Sequence, residues 1–225
     1  MADRPRPAPP SGPRASPARQ RMKRPRTRIQ RRNTDTILEA ALDVFSAHGF
    51  RGATVDQIAQ AAGLSKPNLL YYFPTKEAVH VTLLAGLMDV WLAPLRTLDP
   101  EGDPVEEILL YVHRKLDMSR TMPRESRLFA NEILQGAPRL SGTLGEELKP
   151  LVDEKAAVIA GWVKAGRIAP VHPQHLMFSI WALTQHYADF DVQVRTVLGD
   201  EGTDPFPEAE RYLDTLFRKM LSVTP

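Results

Sequence analysis

The chain has 225 residues, of which 43% are hydrophobic and 25% charged, as in an ordinary globular protein of one large or two small domains. It contains no cysteine, which excludes disulfides and thiolate metal sites. Apolar runs such as residues 176–183, which Ser179 alone interrupts, are too short to cross a membrane, and the N-terminus lacks the apolar segment of a secretion signal. We therefore expect a cytoplasmic protein with no membrane partner.

The small net charge of +2 conceals a strong division along the chain. Residues 1–32 hold eleven Arg or Lys and one acidic residue, Asp3, so the remainder carries a net charge of −8. Residues 1–27 are also rich in proline and poor in large apolar residues, so we predict a disordered basic arm. A basic arm on an acidic body indicates contact with a polyanion, although a solvated tail would explain the same charges.

Helical periodicity and capping residues predict an all-α fold. The first helix is predicted over 34–48 and ends at Gly49, and Thr54 with Gln57 forms a capping box for the second. Ser65 is predicted to cap a short third helix that Pro74 ends, and Thr75 is predicted to start a long fourth helix. The later helices are predicted near 104–121, 124–135, 143–165, 173–197 and 205–222.

Two short capped helices separated by Gly-Leu are typical of a helix-turn-helix. Leu69 and Phe73, four residues apart, can fix the second of these helices to a core and leave Asn68 and Tyr71 on another side. An Asn amide pairs well with adenine, and a Tyr can meet a thymine methyl group or a phosphate. Lys66 begins this helix and can reach a phosphate. The alternative is an amphipathic helix pair in an ordinary helical protein that does not bind DNA, because such a pair can have the same Gly-Leu turn.

The stretch A-A-L-D-V-F-S-A-H-G-F-R-G-A-T-V-D-Q-I-A-Q-A-A-G-L-S-K, followed by L-L-Y-Y-F-P-T-K-E-A-V, resembles the DNA-binding domain of the TetR family of bacterial regulators. The resemblance implies a dimer that places its recognition helices in the major groove of a palindromic operator and binds a small effector. It differs from the usual pattern at Pro67 and Leu70, where base preference is open. The predicted DNA-binding residues are Thr54, Ser65, Lys66, Pro67, Asn68, Tyr71, Tyr72 and Lys76.

We accordingly predict a DNA-binding domain over 28–80 and an effector-binding and dimerisation domain over 81–225. Two half-sites of one dimer lie roughly 34–36 Å apart, or a multiple of that distance. The basic arm at 19–32 directly precedes the first helix and is expected to add phosphate or minor-groove contacts. The family resemblance implies a dimer formed by late helices, here those near 143–165 and 173–197, with Leu151, Val158, Ile159 and Trp162 as contacts. The alternative is that these residues pack only within one subunit.

A candidate effector pocket is indicated by polar residues spaced around a tryptophan. Trp181, Gln185 and Asp189 repeat every four residues and share one helical face. Trp91, on the fourth helix, could supply the opposite wall. Arg127 and Asn131, one helical turn apart, are further polar candidates. The alternative is that both tryptophans are ordinary core and the polar groups satisfy each other.

The C-terminal part also resembles the pyrimidine-utilisation members of the TetR family, in W-L-A-P-L, in L-V-D-E-K-A-A-V-I-A-G-W-V-K-A-G-R-I-A-P and in P-Q-H-L-M-F-S-I-W-A-L-T-Q-H-Y-A-D-F. This resemblance implies uracil or a related pyrimidine as the effector, and control of pyrimidine catabolism or nitrogen metabolism. The Gln185 amide can form two hydrogen bonds with the imide group of uracil, one as donor and one as acceptor, and a Trp ring can stack on the face of the uracil ring. We expect a repressor that its effector releases from the operator. The sequence does not distinguish a repressor from an activator.

Two other function classes remain as alternatives. A helical small-molecule enzyme is disfavoured because the sequence holds no nucleophile-elbow, zinc-protease, phosphate-loop or dinucleotide motif, and we predict no catalytic residue, metal or cofactor. His172, His175 and His186 are better explained as surface or capping residues than as metal ligands. A helical module that uses its basic arm on RNA or membranes leaves the closely specified 65–76 stretch unexplained. The fourth helix, from Lys76 to Trp91, is the expected link between effector and DNA.

Overall fold

A computed structural model describes residues 28–199 and 203–223, and every regular element in this part of the chain is a helix. The predicted arm over 1–27 lies outside the described residues. The elements, in chain order, are α1 (Arg28–Gly52), α2 (Val55–Ala61), α3 (Lys66–Tyr72), α4 (Lys76–Arg96), α5 (Pro104–Thr121), α6 (Pro123–Leu134), α7 (Ser141–Thr143), a π-helical segment (Leu144–Leu148), α8 (Lys149–Lys164), α9 (Pro173–Asp189), α10 (Asp191–Leu198) and α11 (Phe206–Leu221). The all-α prediction is confirmed.

The first three helices form an N-terminal unit, α1–α3, whose ends follow local capping. The predicted capping box is present at α2: the Gln57 backbone N–H donates to Thr54 Oγ1 at 3.2 Å, and the Thr54 backbone N–H donates to Gln57 Oε1 at 2.8 Å. Ser65 caps α3 and Thr75 caps α4, as predicted. Gly49 breaks α1 with a left-handed φ of 65°.

Three predicted helix boundaries differ from the structure. Helix α1 begins at Arg28, six residues before the predicted start at Thr34, because the polar residues ahead of Thr34 continue the helix. The predicted 143–165 helix contains the π-helical segment 144–148, which lies beside Gly142 and Gly145, poor α-helix formers. The predicted 173–197 helix is divided into α9 and α10 at Phe190, whose φ of −117° is not helical.

Two apolar cores are joined by α4. The N-terminal core takes residues from α1–α3, α4 and α6; it includes Ile37, Phe45, Ile58, Leu69, Val79, Leu84 and Leu128. The second core belongs to the C-terminal unit, α5–α11; it includes Ile108, Leu116, Ile159, Trp162, Ile180, Leu213 and Phe217. Leu92 of α4 lies in the first core and Leu95 in the second, so this helix is packed against both.

Helix α4 also meets, by length and composition alone, the criteria of a membrane span, as the central helix of a folded domain often does. Its residues Leu84, Leu87, Met88, Trp91 and Leu92 are buried against other helices of this chain. The apolar character of α4 is therefore accounted for by its position between the two cores.

Two of the residues expected at a dimer surface are instead part of the core of a single chain. Ile159 and Trp162 are only 2% and 4% exposed, and the Trp162 indole N–H donates to the Pro100 carbonyl at 3.0 Å. The sequence pattern could not distinguish these cases, because an apolar helical face packs equally well within a subunit or between subunits. Large apolar side chains are exposed on α9–α11 instead: Phe178, Phe190, Val192, Val197, Leu198 and Tyr212.

Candidate functional site

The second helix of the helix-turn-helix, α3, is fixed to the N-terminal core along one side and exposed along the other. Leu69 is fully buried and Phe73 is 4% exposed, in agreement with the spacing argument. Asn68 is exposed, and Tyr71 is 71% exposed although it is a large aromatic residue. The opposite side of α3 therefore presents side chains that can enter a groove.

Most of the predicted DNA-binding residues are exposed, but the side chains of three of them, Lys66, Tyr72 and Lys76, contact another helix of the chain. Lys66 Nζ lies 2.9 Å from Asp56 Oδ2 on α2. The Tyr72 hydroxyl accepts a hydrogen bond from Asn33 Nδ2 at 2.8 Å, which connects α3 to α1. The exposed members without such a side-chain contact to another helix are Thr54, Ser65, Pro67, Asn68 and Tyr71.

Lys76 has the most extensive intrachain contacts of the predicted DNA-binding set. Its Nζ donates to the carbonyls of Phe50 and Ala53 at 2.6 and 2.7 Å and lies 4.4 Å from the centre of the Phe50 ring. These carbonyls terminate α1, so the Lys76 ammonium connects the end of α1 to the start of α4. Its contact with a phosphate stays a prediction, and such a contact would compete with the two carbonyls.

The six predicted effector residues line two neighbouring concavities. The first, which we call the inner cavity, has a volume of about 50 Å³ and includes Trp91, Trp181 and Gln185 in its wall. The second, the outer groove, has a volume of about 460 Å³ and is lined by Arg127, Asn131, Gln185 and Asp189 among others. Gln185 and Phe129 belong to both walls, so they separate the cavity from the groove.

The inner cavity combines an aromatic wall with polar side chains. The Trp91 indole N–H is buried and has no hydrogen-bond partner within the described residues. The Trp181 indole N–H donates to the Tyr111 hydroxyl at 2.6 Å, which holds the Trp181 ring in place. Lys115 also lines the cavity, with its Nζ 4.7 Å from the centre of the Trp91 ring. A flat ring with a hydrogen-bond acceptor suits such an arrangement.

Burial changes the acid–base behaviour of the two polar residues that α5 contributes. It lowers the pKa of Lys115 to about 7, with the nearby charge of Asp189 partly opposing the change. Burial also raises the pKa of Tyr111 to about 12, partly offset by its hydrogen bond with Trp181. Tyr111 therefore stays neutral at pH 7, whereas Lys115 can gain or lose a proton.

The outer groove contains a half-buried carboxylate, that of Asp189, beside a cation. Ser126 Oγ donates to Asp189 Oδ1 at 2.6 Å. Burial raises the pKa of Asp189, against the lowering effects of that hydrogen bond and of the charge of Arg127. Arg127 and Asn131 reach the groove from α6, and Asp189 from the end of α9. The groove thus has the polar partners and the inner cavity has the aromatic rings.

Sequence reasoning missed Tyr111, Lys115 and Ser126. A signal for Lys115 was present, because it falls in a helix whose apolar residues Ile108, Val112 and Leu116 recur at helical spacing. A cation on an apolar face of that kind is a candidate for a functional group. No comparable signal marked Ser126, since its importance follows from the approach of α6 to α9.

Comparison with known proteins assigns both halves of the chain. Residues 37–80 match the family model for bacterial regulatory proteins of the tetR family. Residues 84–224 match the model for the C-terminal region of YcdC-like proteins, which carries a TetR designation. The two matches together cover the N-terminal unit from residue 37 onward and all of the effector-binding candidates.

Relatives and solved structures agree with these matches. The HTH-type transcriptional regulator RutR of Escherichia coli is 52% identical over 174 residues, which cover 77% of this chain and 82% of that protein. The HTH-type transcriptional repressor NicS of Pseudomonas putida is 40% identical over 141 residues, or 60% and 64% of the two chains.

Among solved structures, AibR in complex with isovaleryl coenzyme A and operator DNA has the same fold, with a TM-score of 0.62, 18% identity, and coverage of 82% of this chain and 97% of that one. Members of the TetR family bind operator DNA and small-molecule effectors, typically as dimers, and the relatives found are regulators and not enzymes. This chain belongs to the TetR family of DNA-binding transcriptional regulators.

Proposed function

We propose that this chain is a cytoplasmic regulator that is released from a palindromic operator when uracil or a related pyrimidine occupies the inner cavity. The observation that carries the proposal is the set of unsatisfied donors around one aromatic slot. The Trp91 N–H has no partner among the described residues, Lys115 lines the cavity with its Nζ over the Trp91 ring, and Gln185 lines it too.

The size and chemistry of the cavity fit a single pyrimidine ring. The volume of 50 Å³ counts only the space that the centres of water molecules can occupy, and on this measure one water needs about 10–15 Å³. The cavity therefore holds a few waters, which is about the size of one six-membered ring. Uracil carries two carbonyl acceptors and two N–H donors. The Trp91 N–H and the Lys115 ammonium can donate to a carbonyl, and the Gln185 amide can both donate and accept. The resemblance of the C-terminal segments to pyrimidine-utilisation regulators supports the same ligand.

The DNA-binding side of the proposal rests on α3. We infer that Asn68 and Tyr71 read base edges, that Thr54, Ser65, Lys66, Pro67, Tyr72 and Lys76 contribute backbone or positioning contacts, and that the arm adds further phosphate contacts. Two copies are joined, in this proposal, through the exposed apolar side chains of α9–α11, of which Phe178 is 49% exposed. Mass measured as a function of protein concentration checks the dimer.

The proposed release mechanism uses α4. This helix begins at Lys76, beside the end of α1, and carries Trp91 in the cavity wall. A ligand that binds the cavity more tightly in one orientation of α4 will shift the population toward that orientation. The spacing of the two recognition helices in the dimer changes with it, and operator affinity falls.

Calorimetric titration of the protein with uracil tests the effector. We expect uracil to bind, and Gln185→Leu to weaken its binding by about tenfold or more, because a lost hydrogen bond in a buried site costs about 1–3 kcal/mol. Gln193→Leu on α10 is the matched control, since Gln193 is exposed and outside the cavity wall. No binding of uracil to the wild-type protein, or full affinity in the Gln185 variant, would refute this effector site.

A second candidate effector is another small aromatic compound, because the two indole rings would accept any flat ring of this size. A thermal-shift screen of pyrimidines, purines and other aromatic compounds separates the two cases. If uracil and thymine raise the melting temperature more than the other compounds do, the pyrimidine proposal is supported. If a different ring raises it more, that compound is the better effector candidate.

A further inference from the structure

Helix α6 contacts the N-terminal unit at its start, lines the effector site with its middle, and faces α4 with its last turn. At its start, the Arg124 guanidinium forms ion pairs with Asp43 and Glu39 of α1, the latter at 2.8 Å. In its middle, Phe129 lies in the wall shared by the inner cavity and the outer groove. Its last turn carries Glu132, which is only 2% exposed. Any displacement of α6 caused by a ligand therefore reaches α1 directly.

Glu132 is held by the turn that follows α6. Its carboxylate accepts a hydrogen bond from the Arg139 backbone N–H at 2.8 Å and a second one from Arg139 Nη1 at 3.3 Å. Its Oε2 lies 4.0 Å from Nδ1 of His80, a residue of α4 that is 2% exposed. In the part of the chain that the structure describes, this Nδ1 has no hydrogen-bond partner. A buried carboxylate of α6 thus faces a buried imidazole of α4.

Arg139 extends this contact to the N-terminal unit. Its guanidinium carbon lies 3.5 Å from the centre of the Phe50 ring, beside the break at the end of α1. Its Nε lies 3.2 Å from Glu77 Oε1 in the first turn of α4. We call the five residues Phe50, Glu77, His80, Glu132 and Arg139 the Arg139 cluster. Its members come from α1, α4, α6 and the turn after α6.

The backbone that presents Arg139 adopts an uncommon conformation. Gly136 has a φ of 88°, and Ala137, which is buried, has a φ of 52° in the left-handed region that non-glycine residues rarely occupy. The Ala137 N–H donates to the Glu132 carbonyl at 2.9 Å and holds the turn closed. Such conformations persist only where the surrounding contacts fix them, and they concentrate at functional sites.

We propose that Arg139 is a positioning residue: through the Arg139 cluster it sets the orientation of the N-terminal unit on the C-terminal unit and transmits the effector's influence from α6 to the DNA-binding helices, in parallel with α4. The transmission step rests on the proposed function, whereas the positioning step does not. A buried ion pair of this kind favours one discrete arrangement, because removal of one partner leaves the other charge buried and unpaired.

The positioning step is tested without any effector. The natural chain has no cysteine, so the double variant Gln60→Cys, Lys164→Cys places spin labels on exposed sites of α2 and α8. Labelled chains diluted in excess unlabelled protein report the distance between the two units within one chain. Arg139→Gln is expected to broaden the distance distribution. Arg120→Gln is the matched control, because Arg120 is exposed and its ion pair is with Asp117 of the same helix.

Glu77→Gln keeps the test decisive if Arg139→Gln does not fold, since Glu77 is 62% exposed and its loss removes only the ion pair with Arg139 Nε. It is expected to broaden the distribution by less than the Arg139 variant would. A distribution that stays as narrow as that of the wild type in a folded Arg139→Gln protein, or in Glu77→Gln where the Arg139 variant does not fold, overturns the positioning role.

The transmission step is tested with uracil and a palindromic duplex selected by the wild-type protein from a random library. Allosteric coupling of ordinary size gives a change in operator affinity of about 5–150-fold on uracil addition. In Arg139→Gln we expect this ratio to fall to about 2 or less while uracil still binds the free protein; in Arg120→Gln it stays as in the wild type. An unchanged ratio in Arg139→Gln overturns the transmission role.

Failure of this proposal can be told apart from failure of the proposed function. If uracil does not bind the wild-type protein, the effector is wrong, and the Arg139 cluster is still judged by the label distances alone. If uracil binds and weakens operator binding in every variant, the effector is supported and the Arg139 cluster is not the transmission route.

Discussion

Lys115 is the residue whose burial is hardest to explain by stability alone. Its ammonium makes no hydrogen bond within the described residues, and its contact with the Trp91 ring contributes about 2 kcal/mol. Removing an ammonium from water costs several kcal/mol even after relaxation of the protein. The position therefore lowers stability, and a hydrogen-bond acceptor on a ligand would recover part of that loss.

We expect Lys115→Met to stabilise the ligand-free protein by about 1–3 kcal/mol at pH 7 and to weaken uracil binding by about tenfold or more. Urea unfolding and calorimetry measure the two effects. The folded-state pKa of about 7 lies below the ordinary 10.5, so the unfolded chain binds more protons between these values. Wild-type stability should therefore approach that of the variant as the pH rises from 7 to 10. A destabilised variant with full uracil affinity would assign Lys115 a packing role only.

At the scale of elements, α3 depends on its cap and on its contacts with the core. A helix of seven residues is too short to be stable by itself. It is held by the burial of Leu69 and by Ser65, whose hydroxyl accepts from the Asn68 N–H at 3.4 Å. The order of this helix, and hence the placement of Asn68 and Tyr71, is therefore sensitive to small local losses.

Ser65→Ala is expected to lower the free energy of unfolding by about 1 kcal/mol, the ordinary value of a lost N-cap. It should also weaken operator binding, because the first turn of α3 frays. Ser222→Ala is the control, since the Ser222 hydroxyl donates to the Arg218 carbonyl and caps no helix start. Urea unfolding and DNA-binding titrations measure the two effects. Equal losses of stability and of operator affinity in Ser65→Ala and Ser222→Ala would show that the Ser65 cap does not position α3.

Elements fixed by neighbouring residues were predictable, and those fixed by distant contacts were not. The caps at Thr54, Ser65 and Thr75 act within four residues, so the starts of α2, α3 and α4 could be located from the sequence. The division at Phe190 carries no comparable local signal, and Gly142 and Gly145 weaken an α-helix without specifying the π-helical segment 144–148.

For the whole molecule, two helices connect the effector site with the DNA-binding helices. Helix α4 contributes Trp91 to the cavity and Lys76 to the end of α1. Helix α6 contributes Phe129 to the cavity and Glu132 to the Arg139 cluster. The sequence predicted the first connection, because α4 is continuous. It could not predict the second, because the contact of Arg139 with Phe50 joins residues far apart in the chain.

The same distinction applies to the effector site. Trp181, Gln185 and Asp189 share a helical face, and that periodicity was visible in the sequence. The structure shows that this face passes from the inner cavity to the outer groove, with Gln185 in both walls. Tyr111 enters the site from another helix, so its bond to Trp181 required the packing of α5 on α9.

The interface between the two units also predicts a pH dependence of stability. Burial lowers the pKa of His80 to about 4, an effect that Glu132 opposes and that Arg139 and Lys76 reinforce. The unfolded chain takes up a proton at His80 near 6.5 and the folded protein does so only near 4, so stability falls as the pH decreases through this range. The contribution of His80 amounts to about 2 kcal/mol between pH 7.5 and 5.

His80→Leu should remove that contribution, so that the loss of stability between pH 7.5 and 5 is smaller by about 2 kcal/mol than in the wild type. Urea unfolding of both proteins at the two pH values gives the difference, in which the other titrating groups cancel. Equal losses in both proteins would show that His80 is not held neutral by burial.

The most direct measurement is the affinity for a selected palindromic operator, by fluorescence anisotropy, as uracil is added to the wild-type protein and to Gln185→Leu. We expect uracil to weaken operator binding by about 5–150-fold in the wild type, at uracil concentrations near its dissociation constant from the protein. We expect little change in the operator affinity of Gln185→Leu at the same concentrations. Binding of uracil with unchanged operator affinity would contradict the proposed release mechanism.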